Sequence, residues 1–198
     1  MKMLGLEKLL NNSPWSRKRV LKLAKELLKL VQIADKSDLL EIGCGTGAVS
    51  KYIAETYDGN IIGLDIDDKQ IQENLKKIKN RPNLKFIVAD ALELPFEDNS
   101  FDVVLSFGVL HHIDGWQKAL AEVNRVLRPG GYFIGAEVIY PEAISSMDKE
   151  SSYSFGLESV DIDEIEGFFT DNNFTEIYSA ANNLLVCQNY EAVYQKAV

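Results

Sequence analysis

An open α/β fold with a mostly parallel sheet is what this 198-residue sequence predicts. Short apolar runs of strand length alternate with segments whose apolar residues recur at helical spacing, the pattern of successive βαβ units. The first run, Leu39-Leu40-Glu41-Ile42, passes straight into the glycine-rich turn Gly43-Cys44-Gly45-Thr46-Gly47, and a helical segment follows. Three successive strand ends carry acids, Glu41, Asp65 and Asp90. In open α/β sheets the carboxyl ends of the strands are where ligands bind.

Composition sets the outer bounds. Hydrophobic residues make up 46% and charged residues 26%, ordinary values for a globular chain long enough to bury one full core. One domain is predicted over 1–198, a helical cap over 1–36 and an α/β core over 37–198. The net charge of −9 disfavours nucleic acid as a partner, because phosphate contacts dominate that kind of affinity. The two cysteines, Cys44 and Cys187, form neither a disulfide framework nor a metal-ligand spacing. No metal is expected. No apolar run is long enough to span a bilayer, and Met1 to Asn12 lacks the apolar core and cleavage site of a signal peptide. A cytoplasmic protein is the resulting expectation.

The elements follow in order. Ser13-Pro14 marks a helix start, with Ser13 as N-cap and Pro14 at the first helical position. The predicted helix runs to about Ile33, with Val20, Leu23, Leu27, Leu30 and Val31 as its apolar face. Arg17, Lys18, Arg19, Lys22, Lys25 and Lys29 crowd the remainder. The plain reading is a solvated cationic face. The sharper ones are a lid over the ligand pocket or a dock for an anionic substrate or a membrane surface. After the glycine turn, Val49, Tyr52, Ile53 and Tyr57 define a helix, and Ile61 to Leu64 a strand ending at Asp65. Asp67 suits the cap of the next helix, whose predicted face is Ile71, Leu75 and Ile78. Leu84 to Val88 and Phe101 to Ser106 are the third and fourth strands. A helix from about Asp114 buries Trp116, Leu120, Val123 and Leu127. Arg128-Pro129-Gly130-Gly131 stops it, and Tyr132 to Ile139 is the fifth strand. The stretch Tyr140 to Val160 is polar, predicted as a loop with a short helical piece. Asp161 and Glu164 form a capping box for a helix lined by Ile162, Ile165, Phe168 and Phe169. Phe174 to Ala180 and Leu184 to Gln188 complete seven strands as a hairpin turning at Asn182-Asn183.

The glycine turn raises the question of its ligand. Glycines are needed where the backbone takes positive φ or approaches a ligand closely, and a helix start offers unpaired N–H groups. Gly43, Gly45 and Ala48 fit a dinucleotide fingerprint, which keeps NAD open at this point. Glu41 favours a different ligand, since a carboxylate beside the turn repels pyrophosphate and attracts an ammonium group. Asp65 lies at the interval a βαβ unit requires for holding both hydroxyls of a ribose.

The segment Glu41-Ile42-Gly43-Cys44-Gly45-Thr46-Gly47 resembles motif I of the class I S-adenosylmethionine-dependent methyltransferases. Phe101 to Gly131 is similar to the family's fourth-strand segment, and Arg125 to Gly131 to its turn before strand five. The resemblance covers about Leu39 to Ile139 and is of the small-molecule, quinone-pathway type. It implies a Rossmann-like seven-stranded sheet, mostly parallel, with helices on both faces and an antiparallel last strand. S-adenosylmethionine is the implied cofactor and S-adenosylhomocysteine the product. Gly43, Cys44, Gly45 and Gly47 then bring backbone to the cofactor, Glu41 its ammonium, and Asp65 its ribose. Ile66 lies beside the adenine. Asp90 and the N–H of Ala91 read the adenine edge, and Ser106 passes near the ammonium. The amino-terminal helix, with Trp15 and Arg17, is implied as a partial lid.

A small-molecule acceptor is the expected partner. His111 is the candidate general base, since the unperturbed pKa of histidine suits proton transfer near neutrality. The alternative for His111 and His112 is that they hold their loop by hydrogen bonds to backbone. Tyr140, Met147, Tyr153 and Phe155 are candidates for lining the acceptor pocket. A non-catalytic methyltransferase-like subunit, a protein acceptor and a NAD-dependent oxidoreductase are the rival readings. The sequence leaves the oligomeric state open.

Overall fold

The computed structural model describes residues 13–78, 81–141, 144, 157–184 and 187–198. Among them the elements are α1 (Pro14–Leu28), β1 (Leu39–Ile42), α2 (Ala48–Thr56), β2 (Ile61–Asp65), α3 (Asp68–Lys77) and β3 (Leu84–Val88). There follow β4 (Phe101–Phe107), a 3₁₀ turn (Leu110–His112), α4 (Trp116–Val126), β5 (Leu127–Ile139), α5 (Ile162–Asp171), β6 (Phe174–Asn183) and β7 (Gln188–Lys196). The seven strands form one sheet in the order β3-β2-β1-β4-β5-β7-β6. Pairings among β1 to β5 are parallel, whereas β7 runs antiparallel to both β5 and β6. The predicted Rossmann-like architecture is the one observed.

Two-residue periodicity divides each strand between two cores. Leu40 and Ile42 of β1, Val104 of β4 and Phe133 of β5 pack with Trp116, Leu120 and Val123 of α4 and with Ile165 and Phe169 of α5. Leu39, Val103, Leu105 and Ile134 face the other way, onto Ala24, Leu27 and Leu28 of α1, Val49 and Ile53 of α2, and Ile71 of α3. Helices therefore cover both faces, and β1 sits inside the sheet, between β2 and β4, with all four residues buried. The order reverses there, since β1 lies between β2 and β4, the topological position where a crevice opens above the strand ends.

Several boundaries differ from expectation. The first helix stops at Leu28, because the N–H groups of Lys29 and Leu30 turn back to the carbonyls of Glu26 and Leu27. Leu30, expected on the apolar face, is exposed. In α3 the inward position is taken by Asn74, 1% exposed, while Leu75 is 46% exposed. The side chain of Asn74 has a hydrogen-bonding task on the glycine turn, described below, that a leucine could not perform. Leu127 begins β5 instead of ending α4. Its partner is Phe101, whereas Val103 pairs with Tyr132, so Arg128 to Gly131 form a bulge within the strand.

At the carboxyl end the hairpin turn is shifted. Asn182 and Asn183 stay in β6, opposite Asn189 and Gln188, and the Leu184 N–H meets the Cys187 carbonyl at 2.8 Å. The last strand therefore begins at Gln188, and its buried Tyr190, Ala192, Val193 and Tyr194 close the core under β5. The sequence expectation places this strand at Leu184 to Gln188, so the observed strand starts where the expected one ends. Most of the predicted 140–160 loop lies outside the described residues.

Candidate functional site

The glycine turn is built from three residues in the left-handed region, Gly43, Gly45 and Gly47, at φ of 62°, 47° and 66°. They do different work. A Cβ on Gly43 would sit 2.5 Å from Val109 Cγ2, and one on Gly47 would sit 2.5 Å from Phe86 Cζ. These two glycines let the chain pass beneath neighbouring side chains. At Gly45 the nearest atom is 4.0 Å away, the Gly43 carbonyl oxygen, so this backbone faces open space. It is held from two sides. Its N–H donates to Asp65 Oδ2 at 2.9 Å, and its carbonyl accepts from Asn74 Nδ2 at 2.7 Å. Lys51 Nζ bridges the Thr46 carbonyl and Asn74 Oδ1, both at 3.3 Å.

Asp67 caps α3 at the Lys69 N–H, as expected. Asp65 is nonetheless engaged: Oδ1 accepts from the Asp67 N–H at 2.8 Å while Oδ2 holds Gly45. Ile66, at 36% exposure, leaves an apolar surface beside Asp65. Asp90 is exposed, and its Oδ1 accepts from the Leu92 N–H at 2.9 Å, a local turn contact. Ala91 is buried. Ser106, paired with Ile42 and Gly135 at the end of β4, is 1% exposed, and its hydroxyl has no hydrogen-bond partner among the described residues.

Glu41 lies on the α2 side of β1. Its Oε2 accepts from the Ser50 N–H at 2.8 Å and from the Ser50 hydroxyl. Burial pushes its carboxyl up to about 7, against the lowering effect of the Ser50 hydrogen bonds, and Asp65 raises it further. Glu41 also lines a cavity of about 720 Å³. A buried carboxylate with so little compensation, open to a cavity, is stabilised by an incoming cation. Burial also holds the adjacent Cys44 thiol well above its usual pKa, which makes it a poor nucleophile and a small lining residue.

The predicted residues divide in two. Glu41, Gly43, Cys44, Gly45 and His111 line the cavity. Gly47, Asp65, Ile66, Asp90, Ala91 and Ser106 do not line it and lie around the carboxyl ends of β1 to β4. Arg17 and Tyr140 reach the lining, whereas Trp15 is not part of it and is 71% exposed. Met147, Tyr153 and Phe155 lie outside the described residues.

His111 is 5% exposed in the 3₁₀ turn after β4. Its Nδ1 lies 2.9 Å from Glu137 Oε2. The other oxygen of Glu137 accepts from the Val109 and Leu110 N–H groups at 3.0 and 3.1 Å. The loop is thus held by Glu137, a carboxylate on β5. With Nδ1 donating to Glu137, Nε2 keeps the lone pair. Sequence reasoning missed Glu137, Ser50 and Asn74. The one available signal was an acid inside the otherwise apolar run Phe133 to Ile139. Among the described residues no group of three or more His, Cys, Asp or Glu is arranged to hold a metal.

This strand order, with a glycine turn after the central strand and acids along the strand ends, is the architecture of the class I S-adenosylmethionine-dependent methyltransferases. Residues 40–135 match the methyltransferase domain family. That match covers just under half of the chain, and the seven-stranded fold agrees with it.

The demethylmenaquinone methyltransferase of Staphylococcus carnosus (strain TM300) is 38% identical over 122 residues, 59% of this chain and 49% of the relative. That of Staphylococcus aureus (strain JH9) is 37% identical with the same coverage. The chain thus spans about half the length of the curated relatives it matches. Among solved structures, the [4+2]-cyclase SpnF superposes with a TM-score of 0.77 at 18% identity, covering 95% of this chain and 84% of that one. The geranyl diphosphate C-methyltransferase of Streptomyces coelicolor A3(2), solved with Mg²⁺, geranyl diphosphate and S-adenosyl-L-homocysteine, gives 0.76 at 13% identity, covering 94% and 84%. At such identities these two share the fold with this chain.

Proposed function

We propose that this chain transfers the methyl group of S-adenosylmethionine to a small-molecule acceptor, leaving S-adenosylhomocysteine. The observation that carries the reading is Glu41, a buried carboxylate raised to about 7 that lines the cavity beside the open backbone of Gly45. When bound, the cofactor supplies a methyl group already made electrophilic by its sulfonium. The residues of the chain bind, orient and exclude water. Glu41 would hold the ammonium, Asp65 the ribose hydroxyls, and Ile66, Asp90 and Ala91 the adenine. The unpartnered hydroxyl of Ser106 fits a polar group arriving at the end of β4. Fixing an acceptor in line with the methyl group can lower such a barrier by roughly 7–11 kcal/mol.

His111 would take the proton an acceptor loses as its bond to the methyl group forms. The proton goes to Nε2, and Glu137 stabilises the imidazolium from the Nδ1 side. The 38% identity to a demethylmenaquinone methyltransferase supports an apolar or aromatic acceptor. The retained acids and the open glycine backbone argue against a non-catalytic subunit. The reading extends to a cytoplasmic location. Among the described residues no helix is long and apolar enough to cross a membrane.

Calorimetry with S-adenosylmethionine, S-adenosylhomocysteine and NAD tests the reading. Binding of the first two without NAD is expected, followed by homocysteine-product release with a suitable acceptor. Binding of NAD alone overturns it.

A further inference from the structure

We propose that the acceptor carries an anionic group, a carboxylate or a phosphate, on an apolar body, and that Arg17, Arg19 and Lys22 of α1 receive that group. This rests on the methyl-transfer reading above and names the substrate class for the same cavity. The chain has five arginines. Arg81 is paired with Glu55, Arg125 with Asp98 and Glu122, and Arg128 with Asp38 and Asp102. Arg17 and Arg19 have no carboxylate partner among the described residues, and both line the cavity. Lys22 lines it too, equally without an ion pair. In a chain of net charge −9, three uncompensated cations along one cavity wall define a local field opposite to that of the whole molecule.

The carboxylates of the same cavity do not neutralise them. Glu26 is tied first to Lys29 and interacts only weakly with Lys22, Glu41 is tied to Ser50, and Glu137 to His111 and the N–H groups of Val109 and Leu110. Glu191 of β7 is the remaining acid in the lining. Between the cations the wall is apolar. At 100° per residue Arg17 and Arg19 fall on either side of Val20, with Leu23 one turn on, and Phe107 and Leu157 also line the space. Guanidinium groups bind carboxylate and phosphate in bidentate fashion, and the apolar lining takes the body of the ligand.

The test titrates protein saturated with S-adenosylhomocysteine with 2-naphthoate and 1-naphthyl phosphate, against uncharged 2-naphthamide. Both the wild type and the R17Q/R19Q/K22Q variant are used. The expected result is that one of the two anions binds about tenfold or more tightly than the amide in the wild type. The tighter anion identifies the head group. The preference should weaken with added salt and vanish in the variant, whose S-adenosylhomocysteine affinity and melting temperature stay close to wild type. No preference for either anion, including no binding of either, overturns the proposal. So does a variant that loses S-adenosylhomocysteine affinity while keeping the anion preference, because the cations then serve the cofactor. If S-adenosylhomocysteine itself fails to bind the wild type, the methyl-transfer reading fails. The same anion comparison on the free protein then decides the cationic wall separately.

Discussion

The two walls of the cavity are built differently. The wall at the end of β1 is made of the glycine-turn backbone and the buried Glu41, held in place by groups on α2, β2 and α3. Gly45 is gripped through its own N–H and carbonyl by Asp65 and Asn74, and Glu41 is capped by Ser50 nine residues away. The opposite wall is made of side chains brought from α1, the 3₁₀ turn and β5. His111 and Glu137 meet across 26 residues. The first wall is a local motif for presenting polar backbone to a ligand. The second is an assembly that depends on the register of β5 against β4. Changes in the first wall should therefore register in cofactor binding and stability, and changes in the second in turnover.

The largest effect expected from that contrast is at His111. His111→Asn should lower turnover by roughly 10²–10⁴-fold while S-adenosylhomocysteine affinity stays within about twofold. Glu137→Gln should keep part of the rate, because the amide oxygen still accepts from Nδ1 while the counter-charge for an imidazolium is lost. Equal loss of cofactor binding in both variants would erase the distinction between the walls.

The next largest effect divides the glycines. Gly43→Ala places a Cβ 2.5 Å from Val109 Cγ2 at a φ of 62°. It should destabilise the fold by roughly 2–4 kcal/mol in denaturant titration. Gly45→Ala meets nothing within ordinary contact distance. It should cost the fold about 1 kcal/mol, through its backbone conformation alone, yet weaken cofactor binding in calorimetry.

Glu41 provides a pH test. Its carboxyl is raised from 4.5 to about 7, mainly by burial, so the folded chain binds a proton more tightly than the unfolded one. Stability from this group is full below about pH 4.5 and is lost as pH rises towards 7, a decrement on the order of 3 kcal/mol. Glu41→Gln keeps an acceptor for Ser50 and should abolish that decrement in melts compared at pH 5 and 8. An ammonium ligand favours the ionised carboxylate, so wild-type cofactor affinity should rise with pH through about 7. The Gln variant should bind more weakly and without that rise.

The smallest pair lies on α3. Asn74→Ala removes the hydrogen bond to the Gly45 carbonyl and should cost about 1–3 kcal/mol. Leu75→Lys, at an exposed position, should stay within about 0.5 kcal/mol.

Much of the first wall was legible because its signals are short-ranged. The glycines, Glu41 and Asp65 occur within one βαβ unit, and the N-caps Ser13, Asp67 and Asp161 act within their own first turns. The misread positions share one cause. Leu75 was assigned to the core from spacing alone, but the helix rotates to put Asn74 beneath the glycine turn. The hairpin turn was assigned to Asn182-Asn183, yet pairing with Asn189 and Gln188 carries both into the strand. At Asp90 the side chain accepts a hydrogen bond from its own turn, so sequence and structure give the same local information.

The sequence by itself determined the alternation of strands and helices, the glycine turn and the acids at the strand ends, because periodicity and turn chemistry are properties of neighbouring residues. Tertiary structure alone decided that Glu137 orients His111. It also decided that Asn74 holds the Gly45 carbonyl, and that, among the described residues, two arginines of the first helix have no carboxylate partner while three elsewhere do. Each of these depends on which elements the sheet brings side by side, and contacts between residues distant in the chain leave no pattern in the order of the amino acids.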